Sequence, residues 1–421
     1  MAPPLMQSSA TVVRTPSTWL LAALSGLTAL SIDMSLPAMP QLQEVFHSGV
    51  SAVQLTLSLF LLGYAVGQLV CGPVSDRYGR RPVLLVGLTL FTLTGLLCAF
   101  STSLPMLVAA RLLQGIGASV GPIMARAIVR DRFSREESSA VLSQITQVMV
   151  LAPLLAPTIG GYLLTYVGWQ AIFYLLAGSG ALLWIIVWTR LPETRPEEHA
   201  EGAGLAQVGA AFRSVISHRS SLRQILTSCF AYAGMFAYVS GSPFVLIDGF
   251  HVPRQNFGYL FALTAAALMV GATVNRYLLP RHAPLTLLIR AVNLLLAAGL
   301  ALSGLVWLGV GGVAGVMLPM MGYLFSLGMV QPNATAEAME PHGRLAGVAS
   351  SLMGALQTLG GALSGYVVGR FYDHTPRSLA FTVGALSVLA FLVLDRTRHE
   401  PVTHDESPEM EIAAQTLVGE G

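Results

Sequence analysis

Twelve mostly apolar runs follow one another along this chain, separated by short polar or Gly/Pro-rich turns, at about 19–41, 52–71, 83–101, 105–129, 137–164, 170–190, 222–247, 256–279, 284–306, 309–336, 343–369 and 378–394. A helix needs about 20 apolar residues to cross the hydrocarbon core of a bilayer. Lipid offers the backbone no hydrogen bonds, so each run must satisfy its own as a helix. The expected fold is therefore an all-α membrane protein of twelve transmembrane helices. The first run exceeds the apolar core of a signal peptide, so it is expected to remain as a helix. Composition agrees, with 54% hydrophobic residues, 10% charged residues and a mean hydropathy of +0.66. A soluble domain carries about 25% charge. Soluble enzymes, nucleic-acid binders and secreted disulfide scaffolds are excluded on that ground. Cys71, Cys98 and Cys229 are odd in number, lie in or beside apolar runs and lack a metal-binding spacing, so they read as small buried hydrophobes.

All 23 basic residues are arginines, and their placement tests the span count. With the N-terminus in the cytoplasm, 17 arginines fall in cytoplasmic segments and 3, namely Arg254, Arg370 and Arg377, in outer loops. That asymmetry follows the positive-inside rule and predicts that both ends are cytoplasmic. The one long internal polar stretch divides the chain evenly. The expected organisation is a cytoplasmic tail (1–16), a six-helix bundle (17–192), a cytoplasmic linker (193–221), a second six-helix bundle (222–394) and a second tail (395–421).

The halves echo each other. Gly72-Pro-Val-Ser-Asp-Arg-Tyr78 and Gly271-Ala-Thr-Val-Asn-Arg-Tyr277 share the pattern G-x-x-x-[DN]-R-Y at an offset of 199 residues. Thr158-Ile-Gly-Gly161 and Thr358-Leu-Gly-Gly361 share T-x-G-G at an offset of 200. Repeats of six helices related by an axis along the membrane normal are a transporter architecture, with the binding site between them near the midplane.

In the segment Gly72–Pro82, the glycines permit a tight turn, Asp76 suits the positive end of a helix, and the arginines can pair with acids or lipid phosphate. A basic loop that only sets topology is the alternative. The full string, with Gly72, Asp76, Arg77, Gly79, Arg80 and Arg81 in place, closely resembles the signature between helices 2 and 3 of the major facilitator superfamily. The resemblance implies a latch at the cytoplasmic ends of the two halves, with Asp76 facing the start of helix 11 and Arg77 reaching Asp131 at the end of helix 4. Arg111-Leu-Leu-Gln-Gly-Ile-Gly-Ala118 resembles the helix 4 motif of the drug:proton antiporter branch. Pro153, Pro157, Gly160 and Gly161 resemble its helix 5 motif, in which Ala156 replaces the usual Gly. Leu191-Pro-Glu-Thr194 after the sixth run is typical of the superfamily too. Leu30–Pro40, Ala233–Val245 and Asn256–Tyr259 resemble the bicyclomycin-resistance subfamily.

Asp33 is the acid that lies well inside an apolar run. A charge at a helix centre costs about 2.5–3.5 kcal/mol on insertion scales, so it marks function; a helix–helix hydrogen bond from a protonated carboxyl is the structural alternative. Asp33 and Arg111 lie about 12 and about 9 Å from the outer ends of their runs at the helical rise, so Arg111 is its expected partner. By resemblance these positions match the proton-coupling acid and the helix 4 arginine of the antiporters. Arg126 and Arg290 sit near cytoplasmic ends; snorkelling suits Arg290, and Arg126 is a second candidate to brace the gate.

Tyr64, Phe236, Tyr238 and Phe244, with Gln114, Gln147 and Asn333 as polar groups, are the candidate drug pocket. Apolar cavities with a few polar groups suit amphiphiles, although ordinary packing accounts for most such residues. The chain has no P-loop, so no ATP, cofactor or metal is expected, and no hydrolytic motif suggests an enzyme. The expected function is proton-driven efflux of drug-like molecules of the bicyclomycin, chloramphenicol or sulfonamide type across a bacterial inner membrane. The expected partners are a small lipophilic or amphiphilic drug, protons and the bilayer, without nucleic acid, and a monomer is expected. A proton-coupled transporter of an endogenous metabolite and a non-transporting membrane sensor are the rival readings.

Overall fold

A computed structural model of the chain describes residues 17–195 and 212–395. The tails expected at 1–16 and 395–421, the latter from residue 396, and the centre of the expected linker, 196–211, lie outside the described residues. The described residues contain no strand. Twelve long helices run α1 (Thr18–Asp33), α2 (Val50–Tyr78), α3 (Arg80–Ala99), α4 (Leu104–Arg132), α5 (Arg135–Tyr166), α6 (Trp169–Arg190), α7 (Arg219–Pro243), α8 (Arg254–Leu278), α9 (Pro284–Trp307), α10 (Gly312–Met339), α11 (Ala346–Arg370) and α12 (Arg377–Asp395). A 3-10 turn, Leu36–Ala38, and a short helix, Met39–Val45, continue α1, and a π turn, Phe244–Gly249, continues α7.

Eleven of these segments are long and apolar enough to cross a membrane. The remaining one, α11, is rich in Gly and Ser and carries Gln357 and Thr358 at its middle. It packs between α2 and α7, and a helix lined by protein needs less apolar surface than one facing lipid.

Local sequence sets the ends. Ser134 and Glu137 form a reciprocal capping box at the start of α5: Glu137 N donates to Ser134 Oγ at 3.3 Å, and Ser134 N donates to Glu137 Oε2 at 3.0 Å. Pro105 and Pro284 occupy the first turns of α4 and α9, where a missing N–H costs nothing.

The packing repeats with a period of six helices. In the first half α1 packs on α4 and α5, α2 on α4, and α3 on α4 and α6. In the second half α7 packs on α10 and α11, α8 on α10, and α9 on α10 and α12. The halves meet through two equivalent pairs, α2 with α11 and α8 with α5. Small residues allow the close crossings: Gly63 and Gly115 bring α2 and α4 into backbone contact, and Gly271 and Gly328 do the same for α8 and α10. Most of α1, α4, α7 and α10 is buried, whereas α3, α6 and α9 turn large apolar side chains such as Val86, Leu182 and Leu300 outward. All three cysteines are free and buried.

The loops α2–α3, α4–α5 and α6–α7 share one end of the molecule, the basic end. The described hydrogen bonds and ion pair between the halves gather toward the other end. There Gln54 Nε2 donates to the Ser240 carbonyl (3.2 Å), Ser58 Oγ to the Ala362 carbonyl (2.9 Å), the Tyr162 and Tyr259 hydroxyls meet at 3.1 Å, and Arg254 pairs with Glu44 at 3.5 Å. Gly258 abuts Thr158 there, and Gly161 abuts the Arg254 carbonyl, each with no room for a Cβ.

Candidate functional site: a buried carboxyl at a helix break

Asp33 is the last residue of α1, and regular helix stops there. It is 6% exposed, and its carboxyl makes no hydrogen bond or ion pair among the described residues. The end of a helix carries the negative pole of its macrodipole, so no favourable helix field offsets an ionised carboxylate at this position. Gly160 of α5 presses against the Met34 carbonyl one residue later, where a side chain would not fit. The helix 5 motif thus braces the break in α1 with Gly160 and the start of α8 with Gly161. Pro153 and Pro157 lie inside an unbroken α5, and Ala156 is fully buried.

Arg111 is 1% exposed, yet it does not touch Asp33, contrary to the expected pairing. Its guanidinium donates to Gln114 Oε1 (2.9 Å), the Ser31 carbonyl (3.2 Å), the Thr56 carbonyl (3.4 Å) and Ser35 Oγ (3.5 Å). It also lies over the Phe60 ring at 4.2 Å. Ser31 sits two residues before Asp33, and residues so spaced do not share a helix face. Arg111 therefore caps the Ser31 carbonyl near the end of α1 from behind, while Asp33 is directed away from it. Tyr232 of α7, across the interface, lies within electrostatic range of Asp33 and Tyr64, and Tyr64 within range of Arg126. Arg126 also donates to the Pro122 carbonyl at 3.2 Å.

At the basic end the Gly72–Pro82 signature is mostly helical: Gly72 through Tyr78 belong to α2 and Arg80 begins α3. The turn is Gly79 alone, with φ +98, a conformation that favours glycine. A Cβ there would also come within 2.6 Å of Glu193. The expected Arg77–Asp131 contact is replaced by Arg80, whose Nε donates to Asp131 at 3.0 Å and whose Nη1 donates to Ser75 Oγ at 2.6 Å and pairs with Asp76. Arg77 is exposed and lies over the Tyr78 ring; starting the turn at Gly79 makes Arg80 the residue that faces α4. Arg81 reaches the Trp188 carbonyl at 2.7 Å. The expected approach of Asp76 to the start of α11 involves the side chains of residues 343–346, which lie outside those described.

In the sequence Glu193 stands out only as part of the typical tetrapeptide Leu191–Thr194. Its carboxylate accepts hydrogen bonds from the backbone N–H groups of Arg80 (2.9 Å), Arg81 (3.1 Å), Thr194 (2.9 Å) and Arg195 (3.0 Å), capping α3. Partial burial pushes its pKa up, but these donors outweigh that and hold it below the usual carboxylate value.

The candidate drug pocket disperses. Gln114 is fully buried beneath Arg111. Tyr238 stacks on Phe261 at 5.9 Å, Phe244 packs on Tyr372 at 5.8 Å, and Asn333 donates to Asn275 Oδ1 at 2.6 Å. These four are enclosed by packing contacts of their own, because side chains at membrane depth face neighbouring helices as often as a cleft. Gln147 is exposed on α5. Tyr64 and Phe236 stay beside the interface, Phe236 against Tyr232 at 5.1 Å. Tyr232, Ser228, Gln331 and Gln357 were missed. The signal was there: amides inside apolar runs cost free energy as acids do, if less.

Comparison with known proteins places this geometry. The family model described as Major Facilitator Superfamily matches residues 21–365. The chain is 36% identical over 387 residues to an uncharacterized MFS-type transporter, YdgK, of Bacillus subtilis, covering 90% of this chain and 95% of that one. It is 32% identical to a bicyclomycin resistance protein homolog of Haemophilus influenzae, over 89% and 94% of the two chains. It is also 32% identical to multidrug resistance protein D of Escherichia coli, over 85% and 89%. The xylose transporter XylE from E. coli, in a partially occluded inward-open conformation, shares the fold with a TM-score of 0.70 at 16% identity, covering 91% of this chain and 98% of that one.

Proposed function

The chain belongs to the major facilitator superfamily, and from that membership and the geometry at Asp33 we propose a proton-coupled exporter of drug-like small molecules. The observation that carries this reading is a buried carboxyl without a counter-ion, placed at a helix break beside the interface of two six-helix halves. An unpaired carboxylate is costly in such a place, whereas a protonated one is tolerated. The neutral form therefore fits a closed surrounding, and the ionised form calls for water or a cationic partner. Protonation and substrate then favour opposite openings of the halves. The basic end is the cytoplasmic one in this reading, so the contacts at Glu44, Tyr162 and Ser240 close the periplasmic side.

Relatives named for bicyclomycin and multidrug resistance support bicyclomycin-, chloramphenicol- or sulfonamide-type substrates. One charge moving through 100 mV is worth about 2.3 kcal/mol, enough to drive a substantial gradient. The bilayer is a bacterial inner membrane with both termini inside, and the working unit is a monomer. A resistance panel in a pump-deficient bacterial host tests the reading. Wild type raises tolerance to at least one such compound, and Asp33→Asn does not. Unchanged tolerance with wild type to every compound would favour an endogenous metabolite as cargo.

A further inference from the structure

Three helices of the second half bring uncharged polar side chains together. Ser228 Oγ of α7 donates to Gln331 Oε1 of α10 at 2.9 Å, and Gln357 Nε2 of α11 donates to both, at 2.7 Å to Ser228 and 2.9 Å to Gln331. The cluster satisfies itself incompletely. Gln331 Nε2 is buried with no acceptor, and Gln357 Oε1 accepts no hydrogen bond among the described residues. A buried N–H without a partner is destabilising, so its retention calls for an acceptor that arrives from elsewhere.

Its place in the fold says where. Ser228 lies one helical turn from Tyr232, on the same face of α7, and Tyr232 is within electrostatic range of Asp33. Gln357 lies one turn from Gly354, which approaches the Gln68 amide of α2 across the interface. The cluster therefore sits on the second half's side of the interface, opposite Tyr64 and Gln68. The amides and hydroxyls of the cluster are uncharged, and on α7 Thr227 Oγ1 and Gln224 Oε1 are buried without partners too.

We propose that Gln331, Gln357 and Ser228 recognise a neutral hydrogen-bonding group of the transported compound, a carbonyl received by Gln331 Nε2 beside a hydroxyl or amide N–H offered to Gln357 Oε1. The substrate class is then uncharged amides and amide-alcohols rather than lipophilic cations that lack such groups. This rests on the export reading above and adds the chemistry of the cargo. A purely structural role, tying three helices together, would affect every ligand alike.

The test uses the purified full-length protein in lipid nanodiscs. Binding is measured for two neutral probes, chloramphenicol and bicyclomycin, and for tetraphenylphosphonium, a cation without hydrogen-bonding groups. Wild type binds at least one neutral probe. Gln331→Leu and Gln357→Leu weaken that binding at least tenfold and leave any tetraphenylphosphonium binding unchanged. Should a leucine variant lose its fold, Gln357→Asn, which withdraws the amide by one methylene, carries the same expectation. Wild type that binds none of the neutral probes, or variants that keep their affinity or lose both probe types equally, overturn the proposal. Flux of the bound probe under a pH gradient separates the two readings. Binding that depends on Gln331 without gradient-driven flux sinks the export reading alone. Flux with glutamine-independent affinity sinks this site alone.

Discussion

Arg111 and Asp33 are both buried charges at similar depth, yet they act on opposite sides of one helix end. Depth is readable from a sequence because each residue adds a fixed rise along its span. Azimuth is not, since it depends on where the helix begins and how it is rotated against its neighbours. The two residues share a depth as expected, but the expected contact between them is not made. Arg111 gives its donors to the Ser31 and Thr56 carbonyls and to Gln114, and hydrogen bonds from a charged group contribute about 1.5–3 kcal/mol each. Arg111→Ala strands these buried acceptors, and we expect a loss of several kcal/mol by that measure, seen as a large fall in the melting temperature of the detergent-solubilised protein. Arg111→Lys recovers part of it, because ammonium lacks the planar fork. Asp33→Asn, with no partner to lose, melts close to wild type. The reverse order of melting temperatures would contradict this assignment of roles.

At the scale of an element, the junction of α2 and α3 depends on one glycine, one buried ion pair and one cap. The signature was legible in the sequence, but its roles fell three residues away from where they were expected: Arg80, not Arg77, meets Asp131. A motif read as a loop hides the helix phase, and here all but Gly79 is helical. Removing one partner of a buried ion pair costs about 3–5 kcal/mol, whereas exposed substitutions change stability by within about 0.5 kcal/mol. Arg80→Ala should therefore destabilise strongly and Arg77→Ala little, as read by thermal melting. Glu193 adds a pH signature. Its folded pKa is depressed by four backbone donors, so its stabilisation is complete above the unfolded value of about 4.3 and is lost as pH falls through the lower folded value. The melting advantage of wild type over Glu193→Gln should be full at neutral pH and shrink progressively as pH falls below about 4.3; an advantage that does not shrink on acidification would remove the cap from the account. In the second half, Asn275 of the repeated G-x-x-x-[DN]-R-Y pattern meets Asn333. A neutral pair thus stands near the place where the first half uses charge.

For the whole molecule, the repeat at offsets of 199 and 200 residues foretold the period-six packing. Run length foretold the twelve helices, although α11 falls short of the apolarity of a span because of its small polar residues, in keeping with its position between α2 and α7. What the sequence withheld is which faces meet across the interface, because Tyr232, Gln331 and Gln357 carry no charge to set them apart. The links between halves lie toward one end, so fixing them should stop the cycle. A Tyr162→Cys, Tyr259→Cys pair, whose parent hydroxyls meet at 3.1 Å, leaves its thiols short of direct disulfide reach, but a short disulfide-containing bismaleimide should bridge them and abolish transport, with recovery on reduction. Transport that continues at full rate through a complete cross-link would mean that these helices do not separate. The central claim is that Asp33 carries the coupling proton. Drug flux into inside-out proteoliposomes under an imposed pH gradient tests it most directly. Wild type should accelerate flux when the gradient is applied, and Asp33→Asn, still folded, should show none of that acceleration because the charge at its site cannot change. Full gradient-driven flux through Asp33→Asn would contradict the account and place the coupling proton on another acid.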